Sequence, residues 1–165
     1  MKRSHMFIID CETTGLLRNS LLLSFGGVIV NSKLEILDKF EVNIQRTEVE
    51  LIENCSPKVL EMHKKSGLYD KVINSTVSIE EAKEILFNLV KKHKQEDQVN
   101  PKTNQITTFK PILTNNTVRM DYMWLEETFK EDFLNAFDYR TIDVSSLNEL
   151  VKRWKPELNT QVKKI

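Results

Sequence analysis

Two carboxylates near the amino terminus are the residues whose types and spacing most directly suggest chemistry. Asp10 and Glu12 are separated by one residue, follow the apolar run 6–9 and precede a Thr-Thr-Gly turn. If this stretch is a strand, side-chain alternation places both carboxylates on one face, about 7 Å apart. Close carboxylates repel each other and lose hydration, and a divalent cation removes both costs. A solvated strand end is the commoner meaning of such a pair, and the apolar run and the turn do not decide between the two.

The positions of His63 and Asp121 in the sequence do not by themselves assign these residues to a functional site. His63 falls in the last turns of a helix predicted over residues 57–66, where a surface or capping histidine is the commoner case. Asp121 falls in the first turn of a helix predicted from residue 118, where the helix macrodipole favours an acid whatever its function. Both residues therefore have a purely structural explanation.

Composition and charge limit the partners of this chain. Its 165 residues suffice for one domain with a substantial core, and 40% apolar and 29% charged residues are ordinary for a globular protein. The 24 Lys and Arg residues balance 24 Asp and Glu residues, so the sequence lacks the basic excess of proteins that bind long duplex nucleic acid. A pocket for a short, lightly charged oligonucleotide is compatible with zero net charge.

The sequence predicts a cytoplasmic protein with no membrane partner. It contains no run of about 18 apolar residues, and residues 1–5 are too short and polar for a secretory signal. Cys11 and Cys55 suit neither a disulfide framework nor a metal-ligand cluster, which indicates two reduced thiols.

The order of predicted elements indicates an α/β fold with a mixed sheet flanked by helices. Three strands form an antiparallel meander, and later strands alternate with helices. Gly26-Gly27 within the second strand indicates a bulge or a close backbone approach. Residues 95–110 are polar and aperiodic, so we expect a flexible insertion there, either a loop or a hairpin. The predicted strands are 6–12, 21–31, 34–44, 111–114 and 139–142, and the predicted helices are 57–66, 79–94, 118–129 and 147–154.

Three stretches together resemble the oligoribonuclease branch of the DEDD 3′-to-5′ exonucleases. Residues 7–16 resemble the first motif of that superfamily, Asp-x-Glu-x-Thr-Gly, and residues 63–68 (HKKSGL) and 139–156 (YRTIDVSSLNELVKRWKP) resemble later stretches of the branch. The last stretch is the most specific, because it combines Tyr-Arg, Asp-Val-Ser and Arg-Trp-x-Pro. The resemblance implies a ribonuclease-H-like fold and a single exonuclease domain over residues 1–165, in which 95–110 is longer than the family leads us to expect.

The resemblance implies a metal-dependent catalytic site. Asp10, Glu12 and Asp121 match three family acids that bind two Mg²⁺ or Mn²⁺ ions for two-metal hydrolysis. Oxygen ligands without cysteine suit these hard cations better than zinc. The implied activity is 3′-to-5′ hydrolysis of very short oligoribonucleotides, dinucleotides in particular, to mononucleotides.

The resemblance also implies substrate-binding residues and a homodimer. Leu16 falls where the family places a leucine between the two terminal bases. His63, Arg140 and Ser145 match residues that cap the 5′ phosphate of a very short substrate and so exclude longer chains. Tyr139 matches a catalytic tyrosine that reaches the active site of the partner subunit, so activity would need the dimer.

One family motif has no counterpart in these 165 residues. The family's general base and fourth acid lie in a His-x-x-x-Asp or His-x-x-x-x-Asp motif on a helix after Arg-Trp-x-Pro, whereas no His follows Trp154 and no Asp follows Asp143. Asp143 is not a substitute, because it matches a family aspartate that caps or orders structure. Three explanations stay open: a truncated piece of an active enzyme, an inactive paralogue that binds nucleotides, or another group that completes the site. By themselves these residues are expected to be catalytically crippled.

Smaller departures keep a second enzyme class open. Thr13 stands where oligoribonucleases usually have Met and is typical of proofreading exonucleases, so a DNA-directed 3′-to-5′ exonuclease is the alternative. Asn115 stands where the family has Gly. Lys58 occupies about the place of a family aromatic, which predicts weaker stacking on the 3′ base.

Overall fold

Strands and helices follow one another along the chain much as the sequence predicts. The computed structural model describes residues 4–158 except 96, 100 and 101. In chain order its elements are β1 (Met6–Thr13), β2 (Leu22–Val30), β3 (Ile36–Asn43), α1 (Glu48–Asn54), α2 (Pro57–Ser66), α3 (Leu68–Ile73), α4 (Ile79–Lys92), β4 (Gln98–Val99), β5 (Ile106–Thr107), β6 (Ile112–Asn115), α5 (Val118–Ala136), β7 (Thr141–Asp143) and α6 (Val144–Trp154).

A five-stranded mixed sheet carries the fold, with the strand order β3-β2-β1-β6-β7. β1, β2 and β3 pair antiparallel, whereas β6 runs parallel to β1 and β7 runs parallel to β6. The predicted combination of an antiparallel meander with parallel strands is confirmed. Because parallel strands end at the same edge of a sheet, the last residues of β1, β6 and β7 lie close to one another. Ligands commonly bind at such edges.

The alternation along β1 separates the core from the acids. Phe7, Ile9 and Cys11 are buried, whereas Asp10 and Glu12 are exposed on the other face, as the sequence predicts. Removal of the buried face from water stabilises the fold and fixes the direction of the outward carboxylates. The residues that α4 and α5 contribute to the same core are Ala82, Leu86, Val118, Trp124, Leu125, Phe129 and Phe133.

β1 and β2 approach each other closely at Gly27. A Cβ atom at this position would lie 1.9 Å from the Ile8 carbonyl oxygen and 3.1 Å from the Ile9 Cα, so any side chain would collide with the backbone of β1. At the neighbouring Gly26 the nearest contact of a Cβ would be 3.1 Å, to the Phe40 carbonyl oxygen. The close approach predicted for the glycine pair is confirmed at Gly27.

We expect Gly27→Ala to lower the free energy of unfolding by about 3 kcal/mol, because no rotamer change relieves a collision with backbone atoms. Gly26→Ala is the matched control and should have a clearly smaller effect, since its nearest contact, at 3.1 Å, requires a shift of only a few tenths of an ångström. Urea unfolding followed by circular dichroism measures both variants. Equal unfolding midpoints would contradict the close approach.

Local capping signals set most of the helix boundaries. Ser56 caps α2, which ends at Gly67 in the left-handed conformation (φ 78°), and the predicted capping box opens α4. α5 extends beyond the predicted end at residue 129, and the backbone of Lys130 leaves the helical region inside it (φ 52°). Within the described ranges, no helix is both long and apolar enough to cross a membrane.

The sequence prediction misses two short helices, α1 and α3. Thr47 and Glu50 form a capping box at the start of α1, so a local signal for this helix is present. Leu51 supplies the buried contact of α1, which leaves the helix without the apolar periodicity used to find the others. α3 follows directly on Gly67 and has six residues, too few for a periodic pattern.

The segment predicted as an insertion, residues 95–110, contains a short hairpin. β4 and β5 pair antiparallel, with Gln98 opposite Thr107. Residues 96, 100 and 101 lie outside the described residues. The hairpin agrees with one of the two predicted forms, and the flexibility of the segment stays a prediction.

Candidate active site

The carboxyl edge of the sheet places Asp121 beside the strand that carries Asp10. Asp121 lies in the first turn of α5 and is only 5% exposed. Its Oδ1 accepts a hydrogen bond from the Cys11 backbone N–H at 2.9 Å, although the two residues are 110 positions apart. Asp121 therefore does more than complement the helix macrodipole, because β1 holds its carboxylate at the carboxyl edge of the sheet. We call this edge, with Asp10, Glu12 and Asp121, the acidic edge.

Asn115, the last residue of β6, connects Asp10 with Asp121. Its Nδ2 donates its two hydrogens to the Ile9 carbonyl oxygen at 2.7 Å and to the Asp121 Oδ2 at 2.8 Å, and the Asp10 Oδ1, 3.3 Å from the same nitrogen, shares one of these hydrogens. Its Oδ1 accepts a hydrogen bond from the Asn116 N–H at 2.7 Å. All four contacts agree with one orientation of the amide, so the two acids meet at a single NH₂ group.

Glu12 is the next exposed residue of β1 after Asp10, and the charged residues of this edge change its pKa. Packing around the side chain raises the pKa of Glu12, His63 opposes this effect, and the charges of Asp10 and Asp121 raise the pKa further. Burial likewise raises the pKa of Asp121, its two hydrogen bonds oppose the increase, and the charge of Asp10 adds to it. Negative charge therefore accumulates here, and a bound cation would offset it.

The donor atoms at this edge fit a hard divalent cation. Asp10, Glu12 and Asp121 offer carboxylate oxygens, whereas burial, and after it the charge of Asp121, raise the pKa of the Cys11 thiol and so disfavour the thiolate that would bind a metal ion. This donor set suits Mg²⁺ or Mn²⁺ better than zinc. In the part of the chain that the structure describes, no three His, Cys, Asp or Glu side chains are already close enough together to hold a metal ion. A shared cation would therefore need a local rearrangement of the carboxylates.

His63 is buried under the end of β1. It is 3% exposed, and its Nε2 lies 2.9 Å from the Thr13 carbonyl oxygen. Because a carbonyl oxygen only accepts hydrogen bonds, Nε2 carries the hydrogen. The surface position that the sequence favours for this histidine is therefore wrong. Its contact falls one residue after Glu12, which places it at the acidic edge, while its phosphate-capping role stays a prediction.

The turn after β1 is anchored on both sides of an exposed leucine. The Thr13 hydroxyl donates to the Gly15 carbonyl oxygen at 2.6 Å, and the Trp124 indole N–H donates to the Leu17 carbonyl oxygen at 3.0 Å. Leu16, between these anchors, is 78% exposed. An apolar side chain that projects from a fixed turn has the form needed to enter between two bases, the role predicted for Leu16.

Ser145 lies at the acidic edge, at the start of α6. Its backbone N–H donates to the Asn116 carbonyl oxygen at 2.7 Å, which links it to the loop that follows Asn115. Asp143 caps this helix, since its Oδ1 accepts from the Ser146 N–H at 3.0 Å and from the Ser145 hydroxyl at 2.6 Å. The capping role predicted for Asp143 is confirmed.

Tyr139 and Arg140 lie before β7, at the end of that strand opposite Asp143. The Arg140 guanidinium lies 4.9 Å from the centre of the Tyr139 ring, and both side chains are exposed. Arg140 also lines a cavity with Met6 and Ile112, near the beginnings of β1 and β6. Within the described residues neither side chain is hydrogen-bonded or ion-paired to the acids, so the single chain does not join these two predicted residues to the carboxylates.

Sequence reasoning missed the part that Asn115 plays in the site. In the sequence this residue is only a departure from the family pattern, and its partner Asp10 is 105 positions away. Trp124, which anchors the leucine turn, is likewise visible in the sequence only as an apolar position of α5. Contacts of such long range leave no local signal.

Comparison with known proteins identifies the family. The model of the exonuclease family matches residues 7–164. The oligoribonuclease of Mycobacterium sp. (strain KMS) is 33% identical over 159 residues, which cover 94% of this chain and 67% of the relative. The probable oligoribonuclease of Dictyostelium discoideum is 32% identical over 158 residues, which cover 94% of this chain and 75% of the relative.

A solved exonuclease shares the fold. The crystal structure of E. coli exonuclease I in complex with a dT13 oligonucleotide matches with a TM-score of 0.59 at 12% identity. The match covers 94% of this chain and 31% of that protein, so the chain spans about a third of its length. Both the predicted ribonuclease-H-like mixed sheet and the predicted family are confirmed. The chain belongs to the oligoribonuclease family of exonucleases.

Proposed function

We propose that this protein is a 3′-to-5′ exoribonuclease that hydrolyses dinucleotides and other very short oligoribonucleotides to mononucleotides. The observation that carries the proposal is the placement of Asp10, Glu12 and Asp121 at one edge of the sheet. Equal numbers of acidic and basic residues suit a substrate with few phosphates. A cytoplasmic location, which suits the free thiols of Cys11 and Cys55, is part of the proposal.

Three carboxylates hold two Mg²⁺ or Mn²⁺ ions in this proposal. When bound, two such cations lower the pKa of the attacking water and stabilise the leaving oxygen. The chain's own contribution is to keep the ligands at one edge. The alternation of β1 points Asp10 and Glu12 outward, and the Cys11 backbone N–H fixes Asp121 beside them.

The 5′ phosphate of a dinucleotide is recognised, in this proposal, by residues around the same edge. Ser145 lies beside the loop after β6, and His63 keeps Nδ1 for the substrate because Nε2 is bonded to Thr13. A third nucleotide would collide with Ser145 and, in a homodimer, with Arg140 of the partner subunit, which restricts the length of the substrate. Few cationic contacts are needed for so small a ligand.

Leu16→Ala is expected to weaken dinucleotide binding about tenfold or more, because burial of a leucine side chain contributes about 1.5–3 kcal/mol. The exposed position of Leu16 predicts no loss of fold stability. Leu17→Ala, at the exposed neighbouring position, is the matched control and should bind as the wild type does. Calorimetric titration with a phosphorothioate dinucleotide measures both affinities. Equal affinities for the two variants would remove Leu16 from the site.

We further propose a homodimer in which α6 forms part of the interface. None of the described residues of α6 is buried, and Leu147, Leu150 and Trp154 are exposed along it. Exposed apolar faces of this kind commonly mark interfaces, and a second copy of the chain would cover this one. The same arrangement would bring Tyr139 to the acids of the partner, and Arg140, stacked on its ring, would arrive with it.

A nucleotide-binding module without turnover is the alternative that a specific observation favours. The described residues hold no preformed group of three metal-binding side chains, whereas two-metal hydrolysis depends on such a site. Incubation of a labelled dinucleotide with Mg²⁺ or Mn²⁺ separates the two functions. Release of mononucleotides supports the exoribonuclease, and calorimetric binding without turnover in either metal supports the binding module.

A proofreading-type DNA exonuclease is tested in the same assay. Thr13, which is typical of that class, is the residue that favours it. Rapid digestion of a long labelled DNA single strand, with little hydrolysis of dinucleotides, would support the DNA-directed enzyme. Preferential hydrolysis of the dinucleotide would exclude it.

A further inference from the structure

We propose that Asn115 is a positioning residue whose amide takes the place of a cation between Asp10 and Asp121, so that a metal ion must displace it in order to bind both acids. This inference rests on the metal site proposed above. Asn115 is not a metal ligand in that proposal, and its side chain controls how tightly the site binds a metal ion.

The hydrogen bonds of Asp121 show why the amide and the cation compete. One oxygen, Oδ1, accepts from the Cys11 backbone N–H at 2.9 Å, and this donor belongs to the paired strand β1. The other oxygen, Oδ2, accepts from Asn115 Nδ2 at 2.8 Å. The same nitrogen lies 3.3 Å from the Asp10 Oδ1. A cation shared by these two oxygens would occupy the region in which the NH₂ group lies.

The contacts of the amide support this assignment. Its nitrogen lies 2.8 Å from the Asp121 Oδ2 and 3.3 Å from the Asp10 Oδ1, so its positively polarised NH₂ group faces the carboxylates of both acids. The amide thus partly neutralises the repulsion that a cation would otherwise remove. Two further bonds, to the Ile9 carbonyl oxygen at 2.7 Å and from the Asn116 N–H at 2.7 Å, hold the amide in place. Cation entry has to overcome these contacts as well.

The test is Asn115→Ala in the otherwise unchanged chain, with metal affinity rather than turnover as the readout. We expect Mn²⁺ to bind about tenfold more tightly, because both carboxylate oxygens become free of their competing donor. The metal-free variant should melt at a lower temperature than the wild type, because the repulsion between the acids is no longer offset. Calorimetry with Mn²⁺ alone and thermal melting with EDTA or Mn²⁺ measure the two effects.

Two further variants make the test specific. Asn115→Asp keeps the shape of the side chain and replaces the donor by a carboxylate, so it should tighten Mn²⁺ binding more than Asn115→Ala and lower the metal-free melting temperature further. Asn116→Ala is the matched control, because that residue contributes its backbone groups to these contacts. It should leave both measurements unchanged.

The outcomes separate this inference from the proposed metal site. If the wild type binds Mn²⁺ and the Asn115 variants bind it equally or more weakly, Asn115 does not compete with the metal and the inference is overturned. If neither the wild type nor any variant binds Mn²⁺, the metal site itself is wrong and the inference is rejected with it. Tighter binding by both Asn115 variants, with Asn116→Ala unchanged, supports the inference.

Discussion

Asp10→Ala is expected to abolish Mn²⁺ binding and to reduce dinucleotide hydrolysis roughly a thousandfold or more, since metal assistance supplies several kcal/mol of transition-state stabilisation. Asp10 points outward from β1, and its Oδ1 shares the Asn115 NH₂ group with Asp121. Its removal leaves Glu12 and Asp121 as the remaining acids of the edge. Calorimetric titration with Mn²⁺ and release of labelled mononucleotide measure the two losses.

The same substitution should leave the metal-free protein at least as stable as the wild type. Burial is the main cause of the raised pKa of both Glu12 and Asp121, and the charge of Asp10 raises each pKa further, so removal of this charge relieves repulsion within the folded state. An unchanged or higher melting temperature in EDTA would therefore distinguish the loss of a metal ligand from unfolding.

Asp70→Ala is the control for the removal of one surface carboxylate. Asp70 lies exposed on α3 and is not among the acids whose charges act on Glu12 or Asp121. This variant should keep Mn²⁺ affinity and hydrolysis at wild-type levels. Wild-type Mn²⁺ affinity in Asp10→Ala would rule out that carboxylate as a ligand.

The parts of the fold that could be predicted are those encoded by neighbouring residues. The alternation of β1 reveals which face carries Asp10 and Glu12, and Ser56 and Gly67 mark the two ends of α2. α1 shows the limit of this reasoning. Its capping box is local, but with Leu51 as its buried residue it has no apolar periodicity to confirm the signal.

The geometry of the site could not be predicted, because contacts distant in sequence create it. The bond between Cys11 and Asp121 spans 110 positions, and the contact between Asp10 and Asn115 spans 105. A family motif supplied the identity of the acids, yet the hydrogen bond that holds Asp121 comes from a backbone group that no motif records.

Tyr139→Ala is expected to reduce dinucleotide hydrolysis about a hundredfold, the size of effect that a misplaced reacting group produces. The fold should be unaffected, because Tyr139 is 79% exposed and its neighbour contact is the Arg140 guanidinium. Tyr139→Phe separates the hydroxyl from the ring, since it keeps the stacked contact. Hydrolysis rates and melting temperatures of both variants are the measurements, and wild-type rates in Tyr139→Ala would exclude a catalytic role.

Mixing two inactive variants tests whether Tyr139 acts on the partner subunit. When Asp10→Ala and Tyr139→Ala are refolded together in equal amounts, about half of the dimers contain one chain of each kind. In such a dimer the chain that keeps Asp10 receives an intact Tyr139 from its partner, so about a quarter of all sites are complete, which predicts recovery of about a quarter of wild-type activity. If Tyr139 served its own chain, every site would lack one residue and no activity would return. Recovery thus requires both a dimer and catalysis across its interface.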